Sequence, residues 1–278
     1  IYFTPGTYHA EETIHVTKAN TILLGSGMTS IIPDNDEAAM LVDDVDGVRV
    51  AGLIFDAGSH SKYLLKVGNK KSDKDHGNNP TILQDLFFRV GGTTDTLTTA
   101  DDALEINSND VLCDHFWIWR ADHGTGVAWD GNVSNHGLTV NGDNVTCYAL
   151  FNEHFNQYDT LWNGENGSTY FYQNEKCYDP ISQETWMSHN GSVNGYAAYK
   201  VANNVMDVVE NAGREFVGAI TSGIFNSDPS KTKSSKSVKN SFKRTLISNR
   251  IIRKGKKVYR KRVYYYRGRK EWRIERIH

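Results

Sequence analysis

Apolar and polar residues alternate in short runs through residues 1–205, each run opening on Asp, Asn or Gly and closing on an aromatic ring. The runs are Asp46-Gly47-Val48 to Phe55, Asn79-Pro80-Thr81 to Phe88, Asn109-Asp110-Val111 to Trp119 and Asp143-Asn144-Val145 to Phe151. Asn166-Gly167-Ser168 to Tyr172 follows them. Period-two alternation bounded by turn residues marks a short strand with one buried face. The third residues of these turns are 33, 30, 34 and 23 positions apart. A second set of segments lies between them: Leu65-Lys66-Val67, Leu104-Glu105-Ile106, Leu138-Thr139-Val140 and Tyr199-Lys200-Val201. Each ends near Asn, Gly or Ser, as a sharp corner requires. Strands and corners repeating every ~20–35 residues predict a solenoid. The uneven period disfavours a propeller and predicts an all-β fold, a single-stranded right-handed parallel β-helix. No amphipathic helix is expected before residue 205. The closing rings Phe55, Phe88, Trp119, Phe151 and Tyr172 are expected to stack as an internal ladder.

Composition supports a packed core and changes the picture only at the C-terminus. The 278 residues are 38% hydrophobic and 11% aromatic, enough to bury a substantial interior. No apolar run approaches the ~20 residues of a membrane helix. The chain opens at Ile1 inside a strand-like Ile1-Tyr2-Phe3, which reads as a piece or a processed product of something longer. Its net charge of −2 hides two different materials. Residues 231–278 hold 19 Lys/Arg against 2 Asp/Glu, and residues 1–230 hold 12 against 31. The expected organisation is a β-helix over 1–205, a linker over 206–230 and an irregular basic tail over 231–278. For the tail, with Tyr259, Tyr264, Tyr265 and Tyr266 among its cations, three readings stand. They are a solvated disordered tail, a short basic β-appendage, and an unrelated or out-of-frame segment. Nucleic-acid or polyanion contact is a weaker reading of the same residues.

Cys113, Cys147 and Cys177 are too few for a disulfide framework. Buried free thiols are expected, with a Cys113–Cys147 bridge between neighbouring coils as the alternative. Glycosylation sequons occur at Asn132, Asn144, Asn166 and Asn190.

The chemistry is suggested by two dipeptides, Asn152-Glu153 and Asn174-Glu175, placed at the same point of successive repeats. One coil of a parallel helix advances by ~4.8 Å, so the two carboxyl groups are expected side by side. Asp122-His123 is expected at the matching point of the coil before, giving an acidic ladder of Asp122, Glu153 and Glu175. A shift of one residue would match Asp122 to His154 instead. Neighbouring carboxylates raise one another's pKa, and a member that stays protonated can act as a general acid. Two such groups flanking a glycosidic bond are the equipment for hydrolysing it, by retention at ~5 Å or inversion at ~6.5–9.5 Å. No cofactor and no metal site is expected.

The wording around the ladder is more specific. Trp119-Arg120-Ala121-Asp122-His123, Asn152-Glu153-His154, Gln173-Asn174-Glu175 and Tyr178-Asp179-Pro180 follow one another. This succession resembles the second β-helix of glycoside hydrolase family 55, β-1,3-glucanases built from two β-helices side by side. There a tryptophan-bearing strand leads into Ala-Asp-His, then Ser-Glu-His, then Gln-Thr-Glu-x-Pro-Tyr. The opening Pro5-Gly6-Thr7-Tyr8 with Leu24-Gly25 resembles the start of such a helix. The resemblance covers residues 1–205 and is sharpest over 117–180. It implies that Glu175 is the general acid, with Glu153 as its assisting carboxylate. It also places Asp122, His123, His154, Gln173 and Tyr178 around the sugar. Trp162 and Trp186 are expected on exposed loops, where either would stack a sugar ring or pack. By resemblance the activity is inverting, releases glucose from chain ends, and is extracellular. Asn174 and Cys177 depart from the family's Thr and Pro. Family members also use a first β-helix to hold the attacking water, so an N-terminal partner half is expected.

Two other readings use the same fold. One is a polysaccharide-binding or attachment β-helix without catalysis. The other is a polysaccharide lyase, with Lys176 or Arg120 as its basic catalyst.

Overall fold

The computed structural model describes residues 1–206 in full and, beyond them, the backbone of the strands Val208–Ala212, Thr245–Lys254, Lys257–Tyr266 and Arg269–Arg276. The chain divides into two compact units, Ile1–Ser227 and Asp228–His278. The second unit holds Thr245–Lys254, Lys257–Tyr266 and Arg269–Arg276 as a three-stranded antiparallel sheet. The linker expected over 206–230 lies largely outside the described residues.

In the first unit the chain winds between two parallel sheets, one of nine strands and one of seven. Arg49–Asp56, Ile82–Val90, Leu112–Arg120, Thr146–Glu153 and Gly167–Gln173 are successive strands of the first. Tyr63–Val67, Ala100–Ile106, Ser134–Val140 and Thr160–Trp162 alternate with them in the second. Every strand therefore pairs with the coil before and the coil after, which is a parallel β-helix. Side chains of one parity fill the space between the sheets. Leu53, Leu86, Phe116, Leu150 and Tyr172 stand in one column. Leu65, Leu104 and Leu138 face them from the second sheet.

The corners carry the turn chemistry that the sequence advertises. Gly47, Asp110, Asn144 and Asn166 all have left-handed φ, between 54° and 70°, a region Gly, Asn and Asp enter at least cost. At another corner Asn141 donates to Asn107 and Asn163 to Asn141, each at 2.8 Å, an asparagine ladder that satisfies buried turn groups.

A second left-handed column carries that signature only in its first two members. Gly52, Asp85, His115, Ala149 and Phe171 occupy the same place in successive coils, with φ of 67°, 50°, 58°, 50° and 60°. They bend these five strands of the first sheet near the middle. His115, Ala149 and Phe171 are none of Gly, Asn or Asp, so there the bend is held by its neighbours above and below.

The aromatic ladder differs from expectation. Phe55 and Phe88 do stack inside, 5.3 Å apart, and Tyr172 is buried. The residues in register with Phe88 are Ile118 and then Asn152. Trp119 and Phe151 therefore have the opposite parity and point outward. Matching rings by type slips the register by one residue, and one residue moves a strand side chain to the other face. The cysteines are free and buried, and Cys113 lies directly opposite Cys147. Asn132 cannot carry a glycan in this fold, because its buried amide donates to Val90 and Ala121 carbonyls and accepts from Ala128.

Candidate active site

The Asn-Glu dipeptides work through parity. Asn152 is buried and donates to the carbonyl of Asp159, while Asn174 donates to the carbonyl of Asn152, each at 2.5 Å. With the asparagines turned in, Glu153 and Glu175 are turned out. Phe151 pairs with Gln173, so the two glutamates lie on adjacent coils in matching positions. The peptide of Glu175 is fixed on both sides. His154 N donates to the Glu175 carbonyl at 3.0 Å, and Lys176 Nζ reaches the buried Asp159 carboxylate at 2.6 Å. The Glu175 side chain itself is 57% exposed.

Asp122 is not on that ladder. The residue in register with Glu153 is Trp119, and neither alignment of Asp122, to Glu153 or to His154, holds along the strands. The chain leaves the strand after Arg120, and the Asp122 carboxylate folds back to the site from the turn that follows. There it accepts from Trp119 Nε1 at 3.0 Å, from His123 Nδ1 at 2.9 Å and from the Tyr178 hydroxyl. Burial alone would push the Asp122 carboxyl up, but the donors Tyr178, His123 and Trp119 overrule it and hold it far below the usual carboxylate range. The same contact pushes the Tyr178 hydroxyl up to about 12. Asp122 is thus a fixed negative charge in the floor of the site.

Further residues close around it. His154 Nε2 lies 3.7 Å from Asp122 Oδ1 and 3.6 Å from Glu175 Oε2. Tyr178 meets the His154 ring edge-on at 5.1 Å. Trp117 donates from Nε1 to Glu153 Oε2 at 3.1 Å and stacks on Trp119 at 5.4 Å. Gln173 sits two residues before Glu175, and its Oε1 is buried with no hydrogen-bond partner among the described residues. Glu153, Glu175, Asp122, His123, His154 and Tyr178 are therefore brought together, with Gln173 beside them.

Trp162 is not among them. It ends its strand fully buried, stacked on Tyr199 at 5.8 Å, and belongs to the core. A site shown only by an exposed loop in the sequence is here the inner face of a strand. Trp186 is half-buried, donates from Nε1 to the Asn156 carbonyl and lies under Lys176.

Sequence reasoning overlooked Trp117 and gave Trp119 the wrong face. The signal was available, since Trp117 and Trp119 flank Ile118 with period two, and Ile118 is core. It also missed the role of Arg120. That side chain has no exposed surface. It donates to the carbonyls of Asn132, His154, Ala128 and Trp129 and to the Asp179 carboxylate. Arg120 ties the turn after its strand to the segment that carries Glu175 and Tyr178. Neither Arg120 nor Lys176, with its cation on Asp159, is presented outward as a lyase base would have to be.

A parallel β-helix with paired outward glutamates beside stacked indoles defines a solenoid of the pectate-lyase-like kind. The chain belongs to the family of the LAM55 pectate lyase-like domain, whose model matches residues 1–175. It is 51% identical over 206 residues to the exo-β-1,3-glucanase of Streptomyces sp. strain SirexAA-E / ActE, a match covering 74% of this chain and 33% of that protein. The solved structure of sacteLam55A from Streptomyces sp. SirexAA-E superposes with a TM-score of 0.72 at 50% identity, over 75% of this chain and 38% of that one. A variant of sacteLam55A with a glutamate replaced by alanine, solved in complex with glucose, superposes with a TM-score of 0.71 at 48% identity over the same shares. The chain thus spans about a third of the length of the curated relative it matches.

Proposed function

We propose that this chain carries the acid side of an exo-acting β-1,3-glucan hydrolase that works outside the cell. Glu175 is the general acid, and Glu153 is the carboxylate beside it. The observation that carries the reading is the environment of Glu175. An exposed carboxyl stands on a peptide held by His154, Asn174 and Lys176, next to a fixed anion and two stacked indoles. The identity to a named exo-β-1,3-glucanase supplies the substrate class.

In the reaction, Glu175 gives its proton to the glycosidic oxygen as the bond to the anomeric carbon breaks. Water attacks that carbon from the opposite face, and the anomeric configuration inverts. Trp117 offers an indole face to a sugar ring with Trp119 stacked behind it, and Asp122 and His123 offer polar atoms to its hydroxyl groups. Residues outside this chain complete the water side of the site on this reading.

The test is sugar release from a linear β-1,3-glucan by wild type and by Glu175→Gln, with circular dichroism to confirm the fold. The variant should lose about 10²–10⁴ in rate, and nascent product should be the α-anomer by proton NMR. Undiminished release by the variant removes Glu175 from the acid role. Retention on glucan with no product from wild type favours the binding-module reading instead.

A further inference from the structure

His154 has no part in the reaction as written above, and its placement asks for one. Its side chain is 2% exposed, so it does not touch sugar. Its backbone is left-handed, with φ of 67°. The backbone is pinned at both groups: N–H to the Glu175 carbonyl at 3.0 Å, and carbonyl from Arg120 Nη1 at 3.2 Å. The ring is pinned at one atom, Nδ1, which lies 3.2 Å from the Lys176 carbonyl. A carbonyl oxygen only accepts, so Nδ1 carries a hydrogen in every protonation state compatible with this contact. Nε2 is then the one ring atom whose proton can come and go. It stands between Glu175 Oε2 at 3.6 Å and Asp122 Oδ1 at 3.7 Å.

The other charged groups nearby are already engaged. Asp122 accepts from Trp119, His123 and Tyr178. Glu153 accepts from Trp117. Lys176 is turned to Asp159, and Arg120 meets His154 only at its carbonyl. Glu175 is therefore the group across from Nε2 that can exchange a proton with it.

We propose that Asp122, His154 and Glu175 are one proton-sharing unit, in which His154 positions the proton of the catalytic acid. This rests on the acid role of Glu175 argued above. Asp122 stays ionised and draws positive charge onto Nε2. A single proton then occupies the pair formed by Nε2 and Glu175 Oε2, as imidazolium facing carboxylate or as imidazole accepting from carboxylic acid. Bond cleavage takes that proton to the leaving oxygen, whose electron pair comes from the broken C–O bond. One proton from solvent restores the unit after product leaves. His154 is a positioning residue, separate from the groups that meet substrate.

Two measurements test this on the full chain. The first is nitrogen NMR of histidine-labelled protein through a pH titration. Nδ1 should remain protonated throughout, while the pH dependence of the Nε2 signal should change in Asp122→Asn and in Glu175→Gln. Glu175 is exposed, so its variant is expected to fold. A pH dependence unchanged in both variants overturns the proposal, whether or not the chain turns over substrate.

The second compares leaving groups, using His154→Asn, since asparagine tolerates left-handed φ. Cleavage of a β-1,3-linked gluco-oligosaccharide, whose leaving group needs a proton, should slow about 10-fold or more with KM unchanged. Cleavage of dinitrophenyl β-glucoside, whose leaving group needs none, should change little. Glu175→Gln should show the same contrast more strongly. If Glu175→Gln lacks the contrast, the acid assignment itself fails. If Glu175→Gln shows it and His154→Asn does not, the acid stands and the proton-sharing unit falls.

Discussion

Arg120 and Asp179 form a two-point ion pair, Nη1 to Oδ1 at 3.3 Å and Nη2 to Oδ2 at 3.1 Å, with the guanidinium wholly buried. The pair joins residues 59 apart in sequence and fastens the segment bearing Glu175 and Tyr178 to the strand bearing Trp117 and Trp119. Removing one partner of a buried pair strands the other charge, at a cost of about 3–5 kcal/mol. Asp179→Ala should therefore lower the free energy of urea unfolding by roughly that amount. Arg120→Lys should destabilise as well, because one ammonium cannot serve four carbonyls and a carboxylate from the place of a planar fork. A stability change under about 1 kcal/mol in Asp179→Ala would show that the carbonyls alone suffice to hold the cation.

Two tryptophans separate packing from recognition. Trp162 is buried against Tyr199, and its Nε1 has no hydrogen-bond partner among the described residues. Trp162→Ala should cost about 3–5 kcal/mol. Trp162→Phe should cost much less, since it removes the unpaired donor with part of the ring. Trp117 is 38% exposed and lies at the glutamates. Trp117→Ala should change stability by less than about 1 kcal/mol yet weaken binding to β-1,3-glucan, measured by affinity electrophoresis. Equal glucan affinity in Trp117→Ala and wild type would take the indole out of the sugar site.

Much of the fold was legible because a solenoid repeats its grammar. The turns at Gly47, Asp110 and Asn144 are left-handed where the sequence shows Gly, Asp and Asn. Position matching of the glutamates succeeded because Glu153 and Glu175 share a neighbour, Asn, that must turn inward. The aromatic ladder failed because Phe and Trp serve either face of a strand, so ring type does not fix parity. The central bend was invisible for a related reason: His115, Ala149 and Phe171 are held left-handed by their stack and not by their own preferences. The fold-back of Asp122 could not be read either, since a turn after a strand end obeys no period.

Cys113 and Cys147 stand opposite one another on adjacent parallel strands, both buried. Strands ~4.8 Å apart fall within the Cα separation that a disulfide spans, ~4.4–6.8 Å. Burial, reinforced by the contact with Cys147, pushes the Cys113 thiol up well above the ordinary range, so its reactive thiolate is scarce in the folded state. Folded protein at neutral pH should thus resist both iodoacetamide and oxidised glutathione. Partial unfolding in urea should expose both thiols and allow a bridge, seen as a loss of about 2 Da by mass spectrometry. Rapid alkylation of Cys113 in the folded protein would contradict this account.

His76 gives the fold a pH dependence of definite sign. Its ring lies between Asp46, 2.6 Å from Nδ1, and Asp44, 2.9 Å from Nε2. Its backbone N–H donates to Asp110. Burial pushes the imidazole down, but hydrogen bonds to Asp46 and Asp44 outweigh it, and the net shift is upward from 6.5. A histidine whose folded pKa exceeds its unfolded value stabilises fully below about 6.5 and loses that stability as pH rises through the folded value. Asp44 is shifted the other way, to about 2, since burial is outweighed by hydrogen bonds from Ser72, Ser108 and His76. Its contribution is complete above its unfolded value of 3.8 and lost as pH falls towards about 2. Stability should therefore be greatest between about pH 4 and 6.5 and decline above it, by no more than about 1.4 kcal/mol per pH unit for one proton. His76→Asn should flatten the alkaline decline and shrink the acid limb to what Ser72 and Ser108 still hold, as measured by urea unfolding from pH 2 to 9. An identical alkaline slope in wild type and His76→Asn would assign the decline to other groups.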